Sequence, residues 1–324
     1  MEENTEQRID LTLFSEKIQG LKERIASVIV GQEQTVDLVL TAILANGHVL
    51  IEGVPGVAKT LLARLTARLI DADFSRIQFT PDLMPSDVLG TTVFNMKTNE
   101  FDFHKGPIFA DIVLVDEINR APAKTQSALF EVMEERQISI DGTTHRMGEL
   151  YTILATQNPV EQEGTYKLPE AQLDRFLMKI TMDYPLLDEE VNILERHHSN
   201  AALVKLDDIT PALTKEELLT LRAFMKNVFV DRTLLQYIAL IVQQTRTSKA
   251  VYLGASPRAS VAMMQASKAY ALLQGRDFVT PEDIKFVAPY VLQHRLILTA
   301  EAEMEGYSPV KVTQRLIDKV EVPK

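Results

Sequence analysis

Two stretches of this sequence carry residue types that handle phosphate. Gly53-Val54-Pro55-Gly56-Val57-Ala58-Lys59-Thr60 follows the apolar run His48–Glu52 and opens a helical pattern that reaches about Ile70. Glycines let backbone N–H groups turn inward around phosphate oxygens, and the helix N-terminus adds the positive end of its dipole. A lysine at position 59 would reach the outer phosphates, and the Thr60 hydroxyl would ligate Mg²⁺. Ala58 stands where such loops usually have a second glycine. Its methyl group is tolerable with helical dihedrals and not with a positive φ.

The second stretch is Ile112-Val-Leu-Val-Asp116-Glu117. Four apolar residues deliver two carboxylates to a strand end, the edge where open α/β sheets bind ligands. Asp116 would hold Mg²⁺ through water, and Glu117 would polarise an attacking water. Two solvated acids closing a strand are the plain alternative. A further apolar run, Tyr151–Ala155, ends in Thr156-Gln157-Asn158-Pro159, where Asn158 either orients that water or simply turns the chain before proline.

Two arginines stand apart. Arg175 precedes the last strand pattern, with Asp174 or Glu170 as surface ion-pair partners in the bland reading. Arg258, in Gly254-Ala-Ser-Pro-Arg-Ala, sits in a first helical turn, where a cation opposes the helix dipole. Arg120 faces either a neighbouring site or Glu117 and Asp116.

These residues need a parallel sheet to carry them. Runs at His48–Glu52, Arg76–Phe79, Ile112–Val115, Tyr151–Ala155 and Phe176–Met182 alternate with helical patterns, which predicts an α/β layer covered on both faces. Phe14, Ile18, Leu21, Ile25 and Val28 mark a preceding helix. Two hairpins interrupt the alternation: Thr92–Met96 with Phe101–His104, and Ile138–Ile140 with Thr143–Met147 around Asp141-Gly142. Phe101 and Phe103 are either grips on a client or a packing face. From about Thr214 the patterns are helical only, and Thr280-Pro-Glu-Asp is a helix start. Residues 1–200 therefore read as the nucleotide-binding domain and 201–324 as a helical domain. His197-His198 lie on a helix surface, and Met263-Met264 fill a core.

With these motifs in place, nearly the whole chain resembles the AAA+ ATPases of the MoxR group. Gly53–Thr60 matches Walker A, and Asp116-Glu117-Ile-Asn-Arg-Ala-Pro matches Walker B. Asn158 matches sensor 1, Arg175 the arginine finger and Arg258 sensor 2. Gln78-Phe-Thr-Pro-Asp-Leu-Met-Pro-Ser-Asp and Glu163-Gly-Thr-Tyr-Lys-Leu-Pro-Glu-Ala-Gln-Leu-Asp-Arg-Phe carry the same stamp. The resemblance implies a five-stranded sheet of order 5-1-4-3-2 with a helical lid. It implies ATP/ADP contacts from Val30, Gly31, Gly53 through Leu61 and Asp116, and Mg²⁺ at Thr60 and Asp116. It implies a homo-oligomeric ring, usually a hexamer, with ATP between subunits, and the two hairpins lining its pore. It leaves open whether Arg258 acts in its own subunit or across the interface. The implied activity is chaperone-like remodelling, often of a von Willebrand A-domain protein. A metal-chelatase ATPase subunit is the alternative; a nucleic-acid motor or a nucleotide-gated scaffold follows further behind.

Composition narrows the field. The 324 residues contain no cysteine, which excludes disulfides, thiolate metal sites and cysteine nucleophiles. A net charge of −11 disfavours binding to phosphate backbones. The start MEENTEQRID lacks a leader pattern, and no apolar run reaches about 18 residues, so no membrane span and a cytoplasmic location are expected.

Overall fold

The computed structural model describes residues 11–159, 164–199 and 209–323. Two helices, α1 (Leu11–Val28) and α2 (Glu33–Leu44), lead into β1 (Val49–Gly53), α3 (Lys59–Leu69) and β2 (Phe74–Gln78). A short α4 (Pro85–Leu89) precedes the hairpin β3 (Gly90–Asn95) and β4 (Glu100–Lys105). Then come β5 (Ile112–Asp116), α5 (Ala123–Glu135) and the second hairpin, β6 (Gln137–Ile140) and β7 (Thr143–Arg146). The core closes with β8 (Thr152–Gln157), α6 (Glu170–Leu173) and β9 (Met178–Met182).

The five core strands are parallel, in the order β2-β5-β8-β1-β9. Numbered along the chain, this is the expected 5-1-4-3-2. The near-continuous apolar runs of β1, β5 and β8 are explained by burial on both faces, whereas the edge strands β2 and β9 carry polar residues. Val49, Ile51, Ile112 and Leu114 enter one core with α2, α3 and the C-terminal helices. Leu50, Val113, Val115 and Ile153 enter the other with α5.

The hairpins are joined to each other. The Thr92 hydroxyl donates to Asp141 at 2.5 Å, and the Phe103 and His145 rings lie 4.3 Å apart. Asp141 and Gly142 both have positive φ, 50° and 78°, as a tight two-residue turn demands. The two phenylalanines part company: Phe103 packs on Phe109 and His145, whereas Phe101 is 73% exposed beside Phe94.

After β9, α7 (Leu187–His198) carries His197 and His198 on its exposed surface. The expected boundary at residues 200 and 201, and Glu163 of the quoted motif, lie outside the described residues. The remainder comprises α8 (Lys215–Phe224), α9 (Arg232–Thr247), β10 (Val251–Leu253), α10 (Pro257–Leu273), α11 (Pro281–Leu292), β11 (Ile297–Leu298), α12 (Ala300–Met304) and α13 (Pro309–Lys319). Helices only were expected here; β10 and β11 add a small antiparallel ladder, too short to leave a periodic mark. The Thr280 cap forms as expected, with Asp283 closing a capping box. Helix α10 packs on α2 and α11, so the C-terminal helices share the first core.

Candidate active site

The phosphate loop leaves the sheet at Gly53 and enters α3 at Lys59. Gly56 has φ +89°, a conformation that glycine adopts without strain. Ala58 has φ +62° and ψ +23°, so the residue in the glycine position is left-handed. An alanine there stores about 1–2 kcal/mol of strain. Lys59 Nζ donates to the Gly53 carbonyl at 2.6 Å, arching back over the loop that it would share with phosphate.

Asp116 and Glu117 close β5 beside this loop. Asp116 is buried; one oxygen accepts from the Thr156 hydroxyl at 3.0 Å and the other from Arg76 Nε at 2.6 Å. Glu117 is left-handed, φ 57°, and its backbone N–H donates to Thr156 Oγ1 at 3.0 Å. Its carboxylate accepts from Gln78 Nε2 at 2.9 Å and forms an ion pair with Arg120, whose Nε lies 3.0 Å away. Arg120 therefore takes its salt-bridge alternative in the single chain. Asn158 is buried just beyond the end of β8, at the same edge of the sheet. Val30 and Gly31 lie between α1 and α2, and α7 crosses them. A Cβ on Gly31, at φ +73°, would clash with the Glu189 carboxylate. Arg196 of α7 donates to the Ser27 carbonyl at 2.7 Å.

The two singled-out arginines lie elsewhere. Arg175 precedes β9, whose Met178 pairs with Val49, while Gly53 pairs with Met182. A strand rises about 3.3 Å per residue, so Arg175 and its own phosphate loop stand at opposite sheet edges, roughly 13 Å or more apart. Neither Asp174 nor Glu170 is its partner: Asp174 takes Arg295 at 2.6 Å. Arg175 instead pairs with Glu134 of α5 at 2.9 Å and donates to the Phe130 carbonyl. Arg258 reaches the other oxygen of Glu134 at 3.2 Å. Both arginines line a cleft of about 500 Å³ with Arg136, Arg295, Asp174 and His48. In a chain of net charge −11, this is a cationic hollow.

Burial tunes that edge. His48 donates through Nε2 to the Met133 carbonyl at 3.1 Å and accepts from the Ile153 N–H at 2.9 Å. Burial, aided by the Arg136 charge, pushes its pKa down to about 3. His294 is likewise held neutral, by burial and the Arg295 charge.

The motifs found Asp116, Glu117, Lys59 and both arginines. They did not find Arg76 or Glu134, and gave Gln78 no role. A spacing of two along one strand face was the available signal for Arg76 and Gln78; nothing local marked Glu134.

A glycine-bearing loop on a parallel sheet, an acidic strand end and a helical lid define a phosphate-loop ATPase. The sequence model described as "ATPase family associated with various cellular activities (AAA)" matches residues 48–178, and the AAA lid domain matches 243–318. Among relatives, the Bacillus subtilis protein YeaC is 48% identical over 301 residues, covering 93% of each chain. Chaperone MoxR1 of Mycobacterium tuberculosis is 45% identical over 314 residues, covering 93% of this chain and 81% of its own. A solved structure from Cytophaga hutchinsonii, of a protein proposed to be an ATPase, superposes with TM-score 0.88 at 40% identity, covering 97% of both chains. The chain belongs to the MoxR-type AAA+ ATPases, enzymes that bind and hydrolyse ATP. No helix among the described residues is long and apolar enough to cross a membrane.

Proposed function

We propose that this protein hydrolyses ATP at sites shared between neighbouring copies in a ring, and uses the resulting motions to remodel a partner protein. One observation carries the reading: Arg175 and Arg258 are gathered on Glu134 at the sheet edge remote from their own phosphate loop. Neither guanidinium serves that loop in this arrangement. On this reading both serve a γ-phosphate presented by the next subunit, so that hydrolysis depends on assembly and Arg258 acts in trans.

Within each site, backbone N–H groups of Gly53–Thr60 and Lys59 hold the phosphates. Val30, Gly31 and Leu61 flank the nucleotide. Hard oxygen donors at Thr60 and Asp116 suit magnesium, and Asp116 already accepts a cation in Arg76. When bound, the ion would neutralise charge on the outer phosphates. Glu117 takes a proton from the attacking water, and Asn158 orients it. Arginine supplied by a neighbour raises such rates by roughly 10³–10⁵.

The exposed Phe101 and Phe94 on the first hairpin favour a protein client gripped at the ring's pore. A six-membered ring and a von Willebrand A-domain client are what the family resemblance adds. The test is turnover against protein concentration, with oligomeric state followed by light scattering. Specific activity that rises with assembly supports a shared site. Full turnover by a monomer overturns it.

A further inference from the structure

Glu134 stands between two like charges. It shares a face of α5 with Phe130, one turn earlier. Arg175 holds both residues: its Nη2 lies 2.9 Å from Glu134 Oε2, and its Nη1 donates to the Phe130 carbonyl. Arg258 Nη2 lies 3.2 Å from the other oxygen, Oε1. The two guanidiniums thus take one carboxylate oxygen each, and their anchorage differs. The Arg175 side chain is 28% exposed and has its second hold on Phe130. The Arg258 side chain is 65% exposed, and among the described residues Glu134 is its one partner. Arg258 also stands in the first turn of α10, where the helix dipole repels a cation. Without the carboxylate, two neighbouring positive charges push each other apart, and only Arg175 stays tied.

Resting on the shared-site reading above, we propose that Glu134 is a positioning residue that acts across the subunit boundary. It holds Arg175 and Arg258 as a pair for the neighbour's γ-phosphate and takes no part in the nucleotide site of its own chain. The arrangement leaves donors for that ligand: Arg175 keeps Nε, and Arg258 keeps Nε and Nη1. A long exposed side chain loses rotamer freedom when it is ordered. Here the loss is taken before nucleotide arrives, most of all by Arg258. Cations fixed in advance stabilise transition-state charge without reorganising at the moment of reaction.

The experiment places one substitution on either side of the interface. In rings mixed from two variants, Lys59→Ala supplies the arginines and Arg175→Ala supplies the phosphate loop. Glu134→Gln, close in shape to the native residue, is added to one partner at a time, and turnover at saturating ATP is compared with the parent mixture. Added to Lys59→Ala, it lowers turnover about tenfold, the worth of one charge-assisted hydrogen bond. Added to Arg175→Ala, it leaves the turnover of the mixture unchanged. A folding defect lowers both mixtures alike, so the asymmetry separates positioning from stability. Equal losses in the two placements, no loss in either, or a loss confined to the Arg175→Ala partner overturns the proposal. So does a loss that comes with dissociated rings in light scattering. A parent mixture that stays inactive at every ratio overturns the shared-site reading instead.

Discussion

Arg175 and Arg258 meet on a single carboxylate: Glu134 pairs with the first at 2.9 Å and the second at 3.2 Å. One lies between α6 and β9, the other in the first turn of α10, so Glu134 ties the sheet edge to the lid. Residues that share a partner do not act independently. Arg175→Ala and Arg258→Ala should each leave nucleotide affinity within about twofold while lowering turnover by 10²-fold or more. The double variant should lose less than the product of the two single losses. Steady-state turnover over the four-member cycle measures the coupling, and strict multiplicativity would show that the arginines act separately.

Glu117 and Lys59 should separate chemistry from binding. Glu117→Gln is expected to bind ATP normally and to turn it over roughly 10²–10⁴-fold more slowly, as loss of a positioned base does. Lys59→Ala should show the opposite emphasis, with nucleotide affinity reduced roughly 10- to 100-fold. Equilibrium binding and single-turnover rates on both variants check the assignment.

Ala58 makes a prediction about strain. Its φ of +62° is left-handed, and glycine adopts that conformation freely. Ala58→Gly should stabilise the folded chain by about 0.5–1 kcal/mol, after the added entropy of the unfolded chain is counted. Ala58→Val should destabilise it by more than that. Urea midpoints of the three proteins give the order directly.

The buried histidines set an acid limit. His48 is held neutral with a pKa of about 3, and His294 is depressed in the same direction. In the unfolded chain both take up a proton near pH 6.5. Their native hydrogen bonds therefore contribute fully above pH 6.5, and stability falls as pH drops below that value toward the folded pKa. At pH 5.5 the expected loss from His48 is about 1.4 kcal/mol relative to pH 8, with His294 acting in the same direction. His48→Gln should remove the His48 share of this slope, as read from urea titrations across that range.

The strand set and the two hairpins were legible because each leaves a local mark: an apolar run, a turn dipeptide or a glycine loop; the strand order came through the family resemblance alone. The triad of Glu134 with its two arginines was not. Its members come from α5, the α6–β9 connection and α10, and no spacing along the chain announces a contact between three elements. The bland partners expected for Arg175 were its sequence neighbours Asp174 and Glu170. Asp174 turns instead to Arg295, a residue of the lid side. Ala58 shows the same limit at shorter range. Its identity was visible, but whether its φ was positive depended on the path that the chain takes from β1 into α3. Arg76 escaped notice because a charged residue on an edge strand ordinarily faces water and nothing else.

The shared site itself is tested by mixing two inactive proteins. Lys59→Ala retains its arginines and lacks the phosphate contact; Arg175→Ala retains the phosphate loop and lacks the arginine. In a ring assembled from equal amounts with random order, about a quarter of the interfaces join a sound loop to a sound arginine. The mixture should therefore recover about a quarter of wild-type turnover per subunit, whereas either variant alone recovers none. A mixture that stays inactive at every ratio, with light scattering showing mixed rings, would contradict the assignment of Arg175 to the neighbour's nucleotide.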